Sequence, residues 1–543
     1  MHDDPIRHIY RSLFHSIRGR AGALCLAAAF PFAASAAEEA AVLSGVDPEA
    51  FYEAGMQNPV WEPAYTGESF AWHARFPMDA FLEAYRASGE RAWLEYGFRY
   101  YENIVDRLQE GPDGYKGWIG PYIYDNSVWC DVHVGDAILF DALLRFSELV
   151  LVDEPELADE YGAAAERYVS LAREHLFEKW ETRATFIKDG PFGAYVSWNR
   201  YGDPGNLEEW TERPEIRNSD LSLPLNKNMD MASVALRIHR IIGDPWYRER
   251  AEMIHGYVKS RIQRHGESYV WNYWEPFWER DFDPDTPGGL RHWVQVHPYR
   301  NYQAGEVGKI VQAYHHGIVY TEADIRAILH TNLGIMWNGD MEDPEFANSN
   351  LEVDPGQTRD REDDGRGLAG TLWTGLADFS ETVRELQRVR GGEPVSDRAR
   401  ISRAYRDIVS HRRPASFERR HASAGVAIPE PYAQLPMGDV ASVRMAIVLP
   451  MEIERGTEST VIGKLNQNVE LEVALYDGAG SRKLATLFSG AVDGDTGGRS
   501  GFHRLAFDGI HPETGEAIAA GSYRVRWTVP GDGYREYPVT IRK

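Results

Sequence analysis

The middle of the chain carries apolar residues at spacings of three and four. This pattern covers residues 133–151 and returns in residues 231–241. Such spacing places the apolar side chains on one face of an α-helix. The helix-ending sequence Gly243-Asp244-Pro245 follows, and a second amphipathic stretch then covers residues 247–262. The pattern predicts a hairpin of two helices.

The hairpin pattern recurs along the chain. Gly89 aligns with Gly243, and setting Gly317 on Gly243 predicts two further helices, over 302–316 and 322–337. Hairpins this apolar must stack on one another to bury that surface. Further pairs are predicted near 121–178 and 366–412. We therefore expect six or seven hairpins, and the absence of a short fixed repeat length favours a closed (α/α)6 or (α/α)7 toroid over an open solenoid.

The C-terminal part of the chain follows a different pattern. Residues 469–475 and 523–529 alternate between apolar and polar, and turn sequences such as Asp477-Gly478 and Asp508-Gly509 separate such stretches. These features predict a small antiparallel β-sandwich. The predicted boundaries are a signal peptide at 1–36, the toroid at 37–415, a linker at 416–440 and the sandwich at 441–543.

The N-terminus resembles an export signal. Four arginines within residues 1–20 precede the apolar run AGALCLAAAFPFA, and the small residues Ala34-Ser35-Ala36 follow it. Cleavage after Ala36 would remove Cys25 and leave Cys130 as the only cysteine, so no disulfide within the chain is expected. The sequence therefore predicts a periplasmic or secreted protein that is stabilised by its core.

Composition narrows the range of functions. Lys and Arg number 58 against 83 Asp and Glu, for a net charge of −25, which argues against a nucleic-acid binder. No apolar run after residue 40 is long enough to span a membrane. The 16 Trp and 28 Tyr often stand beside polar residues, as in carbohydrate clefts, although such rings also fill cores. We expect a monomer that binds a carbohydrate.

Polar residues gather where the first helices of three hairpins are predicted to begin. These starts are expected near 72–75, 226–229 and 300–303. Because inner helices of a toroid run in the same direction, their starts meet at one mouth. A single Asn there could simply cap a helix. Capping does not explain the sequence HPYRNY at 297–302, which combines His, Arg and two Tyr.

This combination of residues suits β-elimination on a uronic acid. The substrate carboxylate must be neutralised by donors such as Asn, His or Arg. A Tyr or His then removes the C5 proton, and a Tyr or water protonates the leaving oxygen. Tyr is a poor base unless nearby cations stabilise its phenolate, and Arg300 is close enough in sequence to Tyr302 to do so.

Three stretches resemble a known enzyme group. SLPLNKNMDMASVALRIHRIIGDPWYRERAEMI, SYVWNYWEP and RHWVQVHPYRNYQAGEVGKIVQAYHHG are similar to α/α-toroid uronate lyases, which include alginate and glucuronan lyases, and are nearest to polysaccharide lyase family 38. The resemblance covers roughly residues 60–390. Many such lyases have Asn-His at the neutralising position, whereas Asn228 is followed here by Met229, so His297 or His292 must serve instead.

The resemblance and the predicted mouth together give two sets of candidates. The catalytic candidates are Tyr302, Tyr299, His297, Arg300 and Asn228. The substrate-binding candidates are Asn226, Lys227, Trp72, His73, Arg75, Trp271, Tyr273 and His292. The implied partner is an anionic polysaccharide, and no cofactor is expected.

Two other functions fit the same predicted fold. An inverting glycoside hydrolase needs two carboxylates across the cleft, and the available acids are Asp125, Asp131, Asp136, Asp230 and Glu275. A non-catalytic glycan-binding protein would need only the aromatic residues. The sequence contains neither HExxH nor a compact Cys/His cluster, so no catalytic metal is predicted. It does not decide whether a structural Ca²⁺ is bound.

The predicted sandwich also resembles a known domain. The sequence between Val469 and Val525 is similar to the immunoglobulin-like domain of flagellar hook-capping proteins, which also occurs at the C-termini of secreted enzymes. Its strands need not contact the mouth of the toroid. Deleting residues from about 440 onward is therefore expected to lower solubility or targeting more than turnover.

Overall fold

A computed structural model describes most of the chain. The described residues are 43, 45–265, 267–282, 290–292, 294, 302–347, 370–390, 394–407, 413–419, 421, 427–429, 432–435, 443–450, 452–465, 468–492 and 502–543. The predicted signal peptide lies outside them, and export stays a prediction. Within the described residues, no helix is long and apolar enough to cross a bilayer.

Helices dominate the chain up to residue 405. The α-helices are α1 (Pro48–Met56), α2 (Glu68–Ser88), α3 (Arg91–Val105), α4 (His133–Glu148), α5 (Ala158–Ala172), α6 (Lys179–Thr182), α7 (Leu225–Ile242), α8 (Pro245–Arg261), α9 (Tyr302–His315), α10 (Glu322–His330), α11 (Glu381–Arg390) and α12 (Asp397–Tyr405). Turns of π-helix extend α4, α5 and α10, at Leu149–Asp153, Arg173–Glu178 and Thr331–Met336. Short 3₁₀ turns lie at Pro59–Trp61, Pro63–Tyr65, Pro155–Leu157, Glu279–Asp281, Thr374–Asp378 and Tyr432–Gln434.

The helices form a ring of hairpins. On the inside, α2 packs on α4, α4 on α7, α7 on α9, and α9 on the turn Thr374–Asp378. The helix α12 packs on the other side of α2, where Ser402 donates a hydrogen bond to Glu83 at 2.9 Å. On the outside, α3, α5, α8 and α11 each pack on the inner segment that precedes them. The predicted α/α toroid is confirmed, with six inner segments among the described residues.

The repeat seen in the sequence corresponds to the turns of the hairpins. Gly89, Gly243 and Gly317 have φ angles of 72°, 74° and 71°. This left-handed conformation is accessible to glycine at no steric cost, and it ends a helix sharply before the next begins. The aligned glycines therefore mark equivalent turns in three hairpins.

Short strands join the hairpins and line one end of the ring. They are β1 (Gln109–Glu110), β2 (Lys116–Gly117), β3 (Gly120–Tyr122), β4 (Asp125–Cys130), β5 (Phe186–Asp189), β6 (Phe192–Tyr195), β7 (Arg200–Tyr201), β8 (Thr211–Glu212), β9 (Gln263–His265) and β10 (Ser268–Val270). Each pairs antiparallel with its neighbour in sequence.

Charged residues cross-link the inner helices. Asp141 of α4 accepts hydrogen bonds from Arg75 of α2 at 2.9 Å and from Arg237 of α7 at 2.6 Å, and Arg145 Nε lies 3.3 Å away. Burial alone would raise the pKa of Asp141, but Arg237, Arg145 and Arg75 together hold it well below its ordinary value. Arg237 also pairs with Glu148. We call this group the interior ionic network.

The C-terminal strands form two packed sheets. The strands are β11 (Val443–Leu449), β12 (Glu452–Glu454), β13 (Ser459–Leu465), β14 (Val469–Asp477), β15 (Lys483–Val492), β16 (Phe502–Phe507), β17 (Gly521–Val529) and β18 (Gly533–Arg542). One sheet has the order β11-β13-β16 and the other β12-β18-β17-β14-β15, and all pairs are antiparallel except β12 with β18. A Cβ on Gly463 would lie 2.5 Å from the ring of Trp527, so the sheets approach closely there. The predicted β-rich region is confirmed.

The core of the sandwich includes a side chain from outside its own strands. Phe282, which belongs to the segment between α8 and α9, is buried in the same apolar core as Val461 and Trp527 of the sandwich. The sandwich therefore packs against a segment of the helical ring and does not stand apart from it. An alternating pattern reveals which residues form strands, but it cannot reveal which loop supplies a further side chain to their core.

Candidate active site at the mouth of the ring

A cavity lies where α2, α4 and α7 begin, and we call this end of the ring the mouth. The helices contribute side chains from their first turns, and the β3–β4 hairpin and the segment around β7 cover them. The lining residues are Glu68, Tyr122, Tyr124, Cys130, Asp131, Val132, His133, Val134, Ser197, Trp198, Tyr201, Asn218, Leu223 and Lys227. The starts of α2 and α7, two of the three that were expected to converge, thus meet at this cavity together with the start of α4.

An ion pair connects two of these helix starts. Lys227 Nζ of α7 lies 3.3 Å from Glu68 Oε1 of α2, and Trp72 Nε1 donates to the same oxygen at 3.2 Å. Burial is the largest single effect and lowers the pKa of Lys227, but Glu68, Tyr124 and Tyr302 together raise it above the ordinary value. Lys227 therefore carries a full positive charge at neutral pH.

Two phenols lie within electrostatic reach of this cation. Tyr302 is the first residue of α9, and Tyr124 lies in the turn between β3 and β4; both rings are 37% exposed. The ring of Tyr302 lies 4.9 Å from that of Tyr273, centroid to centroid. A cation and a helix N-terminus both favour negative charge, so this is a position where a phenolate is stabilised.

A second basic pair stands at the rim. Arg217 Nε donates a hydrogen bond to His292 Nδ1 at 2.7 Å, and the Arg217 guanidinium lies 5.8 Å from the centroid of the Tyr124 ring. His292 contacts Trp274 edge-on and has a φ angle of 46°. A non-glycine residue in this conformation is uncommon, and such strain is concentrated at functional sites.

A buried carboxylate cluster adjoins the cavity through Asp131. Asp131 Oδ2 accepts from Lys179 Nζ at 2.8 Å and from Arg183 Nη1 at 2.8 Å, while Asp136 Oδ2 accepts from Lys179 at 2.6 Å. Burial would raise the pKa of Asp131, but Lys179 and Arg183 lower it below its ordinary value. Burial and the neighbouring Asp131 raise the pKa of Asp136 to about 7. His133 stacks on Trp180 beside this cluster, 3.6 Å between centroids.

The predicted candidates on α2 lie deeper than expected. The helix begins at Glu68 because the buried Phe70 and Ala71 already belong to its apolar face. Arg75 is therefore about two turns inside, where it pairs with Asp79 and Asp141 in the interior ionic network. His73 Nδ1 donates to the Ser69 carbonyl at 2.7 Å. Trp72 alone of these three reaches the ion pair at the mouth.

Several other candidates are built into the wall of the ring. Asn228 is fully buried; its Oδ1 accepts from the Tyr195 amide at 2.7 Å and its Nδ2 donates to the Leu223 carbonyl at 2.8 Å. This pairing is structural and keeps Asn228 away from the cavity lining. Asn226 is buried as well. Trp271 Nε1 donates to Glu306 Oε2 at 2.7 Å inside the wall.

Three catalytic candidates lie outside the described residues: His297, Tyr299 and Arg300. Of the acids considered for hydrolysis, Asp125 is the half-buried first residue of β4 and accepts from Ser127, and Asp230 pairs with Lys309 at 2.6 Å. Glu275 is buried and accepts from Asn272. Among these acids only Asp131 lines the cavity.

Sequence reasoning missed Glu68, Tyr124 and Arg217 at the mouth. Glu68 is separated from Lys227 by 159 residues, and nothing in the local pattern links them. Tyr124 stands in the aromatic sequence YIYDN. Because this sequence lies next to a predicted hairpin start, it could have indicated that Tyr124 is at the mouth. Among the described residues, no group of three or more His, Cys, Asp or Glu is placed to hold a metal ion.

Comparison with known proteins gave only distant similarities. No protein-family model and no curated protein matched the sequence. Similar solved structures include a family 76 α-1,6-mannanase from Salegentibacter sp. (15% identity, 68% of this chain and 85% of that chain, TM-score 0.30). They also include a family 76 glycoside hydrolase (mannosidase) from Bacteroides thetaiotaomicron (8%, 63% and 70%, TM-score 0.32) and a cellobiose 2-epimerase from Bacillus thermoamylovorans (12%, 62% and 74%, TM-score 0.31). These scores are too low to assign a family.

Proposed function

We propose that the protein is a polysaccharide lyase that cleaves a uronic-acid polymer, of the alginate or glucuronan type, by β-elimination. The observation that carries the proposal is the position of Lys227, which is charged and lies within electrostatic reach of the phenols of Tyr302 and Tyr124 at the mouth. A cation beside a tyrosine is what a phenolate base requires at neutral pH.

The residues take distinct roles in this proposal. Tyr302, as the phenolate, removes the C5 proton while Lys227 and the start of α9 stabilise its charge. The basic pair of Arg217 and His292 neutralises the substrate carboxylate, which stabilises negative charge developing at C5. Tyr124 donates its proton to the leaving oxygen as the C4–O bond breaks. The electron pair of the C5–H bond forms the C4=C5 double bond, so the charges balance.

Local charge supports an anionic substrate despite the net charge of −25. Lys227, Arg217 and the buried Arg183 lie at one end of the ring, where Glu68 and Asp131 offset part of their charge. Focusing of the remaining positive charge can attract a polyanion against the overall field. The aromatic residues Trp198 and Tyr201 line the same cavity, where Tyr201 is buried and the Arg183 guanidinium lies 3.9 Å from the centroid of the Trp198 ring.

A second candidate function is an inverting glycoside hydrolase. Two carboxylates, Glu68 and Asp131, line the same cavity, and hydrolysis needs such a pair. Against it, each is held by a cation, Glu68 by Lys227 and Asp131 by Lys179 and Arg183. A general acid must hold a proton at working pH, and Lys179 and Arg183 lower the pKa of Asp131 and favour its ionised form.

One experiment distinguishes a lyase from a hydrolase and from a non-catalytic glycan-binding protein. The protein is incubated with a panel of polyuronates and neutral glycans, and ultraviolet absorbance and reducing ends are followed together. A lyase produces both signals from a polyuronate, because each cleavage leaves a C4=C5 double bond. Reducing ends without absorbance would favour hydrolysis and contradict the lyase proposal. Binding without any cleavage would favour a non-catalytic glycan-binding protein.

A further inference from the structure

We infer that the C-terminal sandwich is a positioning domain for the mouth, an inference that rests on the lyase function proposed above. The segment between α8 and α9 enters both regions. Phe282 is buried in the sandwich core and forms an antiparallel bridge with Leu290, which packs against the same core. Leu290 also packs against Tyr273 and Trp274, which belong to the mouth side of this segment. Phe282 and Leu290 thus anchor the segment between α8 and α9, which we call the mouth segment, to the sandwich.

The residue before Phe282 holds several backbone groups in place. Asp281 is fully buried, and its carboxylate accepts from the amides of Ser222 at 2.8 Å, Phe277 at 2.7 Å and Trp278 at 3.1 Å. Its carbonyl accepts from the Arg291 amide at 2.9 Å. A buried carboxylate is costly unless these bonds are formed. Because Asp281 directly precedes Phe282 in the chain, we expect loss of the Phe282 anchor to weaken these bonds.

The same bonds reach the helix that carries Lys227. Ser222 stands three residues before Leu225, where α7 begins, and its hydroxyl accepts from Trp274 Nε1 at 3.1 Å. The Leu225 amide donates to the Tyr273 carbonyl at 3.1 Å. A continuous set of contacts thus runs from the sandwich core to the cation at the mouth. Displacing a reacting group by about 1 Å can cost on the order of a hundredfold in rate.

The test uses Phe282→Ala in the full-length protein. The expected result is local opening of the mouth segment, with amide hydrogen exchange at Ser222, Phe277, Trp278 and Arg291 accelerated about tenfold or more. Turnover of a polyuronate should fall on the order of tenfold to a hundredfold. Phe282→Leu keeps an apolar side chain in the sandwich core and should restore both exchange protection and turnover.

Phe379→Ala provides a matched control. Phe379 is similarly buried, at 6% exposure against 4% for Phe282, but it packs with His315 and Phe417 near the far end of α9. Its loss should lower the melting temperature and leave the exchange rates of the Ser222, Phe277, Trp278 and Arg291 amides at their parent values.

If exchange at these amides is unchanged in Phe282→Ala, the sandwich core does not hold the mouth segment in place, and this conclusion does not depend on the measured activity. Accelerated exchange with parent turnover would overturn its catalytic consequence. The exchange measurement needs no substrate, so it is independent of the reaction catalysed. A parent protein that cleaves no polyuronate would contradict the proposed function alone, and the exchange rates would still decide whether the sandwich holds the mouth in place.

Discussion

The mouth of the ring and the interior ionic network contain similar charged residues that are paired in different ways. In the interior, Asp141 is shared by Arg75, Arg145 and Arg237, which come from three inner helices. At the mouth, Lys227 pairs with one carboxylate among the described residues, Glu68 at 3.3 Å, and has two partly exposed phenols nearby. Charges that are fully cross-linked hold helices together, whereas a cation beside ionisable hydroxyl groups can support proton transfer. The comparison predicts that substitutions at the two places separate stability from activity.

The largest effect is expected from Tyr302→Phe. The change removes one oxygen atom and keeps the ring that packs on Tyr273. General acid–base groups contribute on the order of a hundred- to ten-thousandfold, so turnover should fall by that factor while the melting temperature and substrate binding stay close to the parent values. Steady-state kinetics on a soluble oligouronate measures the loss of turnover.

Tyr314→Phe is the matched control for this change. Tyr314 lies on the same helix but far from the mouth, where its hydroxyl donates to the Phe417 carbonyl at 2.6 Å. Its loss should cost about 1 kcal/mol of stability and leave turnover unaffected. A Tyr302→Phe enzyme within a few-fold of the parent would remove Tyr302 from the mechanism, and the test would pass to Tyr299.

In the interior, Arg237→Met should mainly lower stability. Arg237 is the partner of both Asp141 and Glu148, so its removal breaks two buried ion pairs, although Asp141 keeps Arg75 and Arg145. The free energy of unfolding should drop by about 3–5 kcal/mol. Chemical denaturation gives this value, and activity per folded molecule is expected to be close to that of the parent. A large loss of activity in the folded fraction would mean that the two regions are not separable.

At the mouth, Lys227→Met should mainly lower activity. The charge that stabilises the phenolate disappears, while the methionine side chain retains most of the apolar contacts. We expect turnover of a polyuronate per folded molecule to decrease about tenfold to a hundredfold. Stability should fall as well, because the buried Glu68 loses the cation with which it pairs. Parallel kinetic and melting measurements on the two variants test this contrast, and parent-like turnover per folded molecule in Lys227→Met would contradict it.

The smallest effect concerns a carboxyl group between the two regions. Glu306 of α9 is fully buried, and burial raises its pKa to about 8, although Trp271 and Lys309 oppose the shift. The folded state therefore holds the proton more tightly than the unfolded chain, and stability falls as the pH rises from the ordinary value towards 8. Glu306→Gln has no proton to lose, so the stability difference between variant and parent should widen by about 1.4 kcal/mol between pH 6 and pH 7. Denaturation curves of both proteins at the two pH values measure this difference in the free energy of unfolding. A difference that is the same at both pH values would show that Glu306 is already ionised.

Much of the fold could be predicted from the sequence because local spacing encodes it. Helices near 302–316 and 322–337 were expected, and the structure has Tyr302–His315 and Glu322–His330 with a π-helical extension. The β-strands at 469–475 and 523–529 were expected from their alternation and lie within β14 and β17. In both cases, burial of one face requires a pattern that is visible within about ten residues.

The site could be predicted only in part, since it depends on contacts between distant segments. Tyr302 and Lys227 were identified because they stand at helix starts, and Trp72 also reaches the mouth. Arg75 was assigned to the mouth because α2 was expected to begin near Trp72, and an error of one turn moves a side chain into the interior. Glu68 was missed because its partner lies 159 residues away.

The closing contact of the ring has a consequence for how the protein is made. Glu83 on α2 meets Ser402 on α12 across 319 residues of sequence. At ordinary elongation rates of about 5–20 residues per second, the first inner helix waits on the order of half a minute for the last one to be synthesised. During that time the inner faces of the early hairpins have no partner on one side. Such long-range closure also slows folding. We therefore expect the ring to close only after synthesis of the helical region is complete, with the early hairpins depending on chaperones until then.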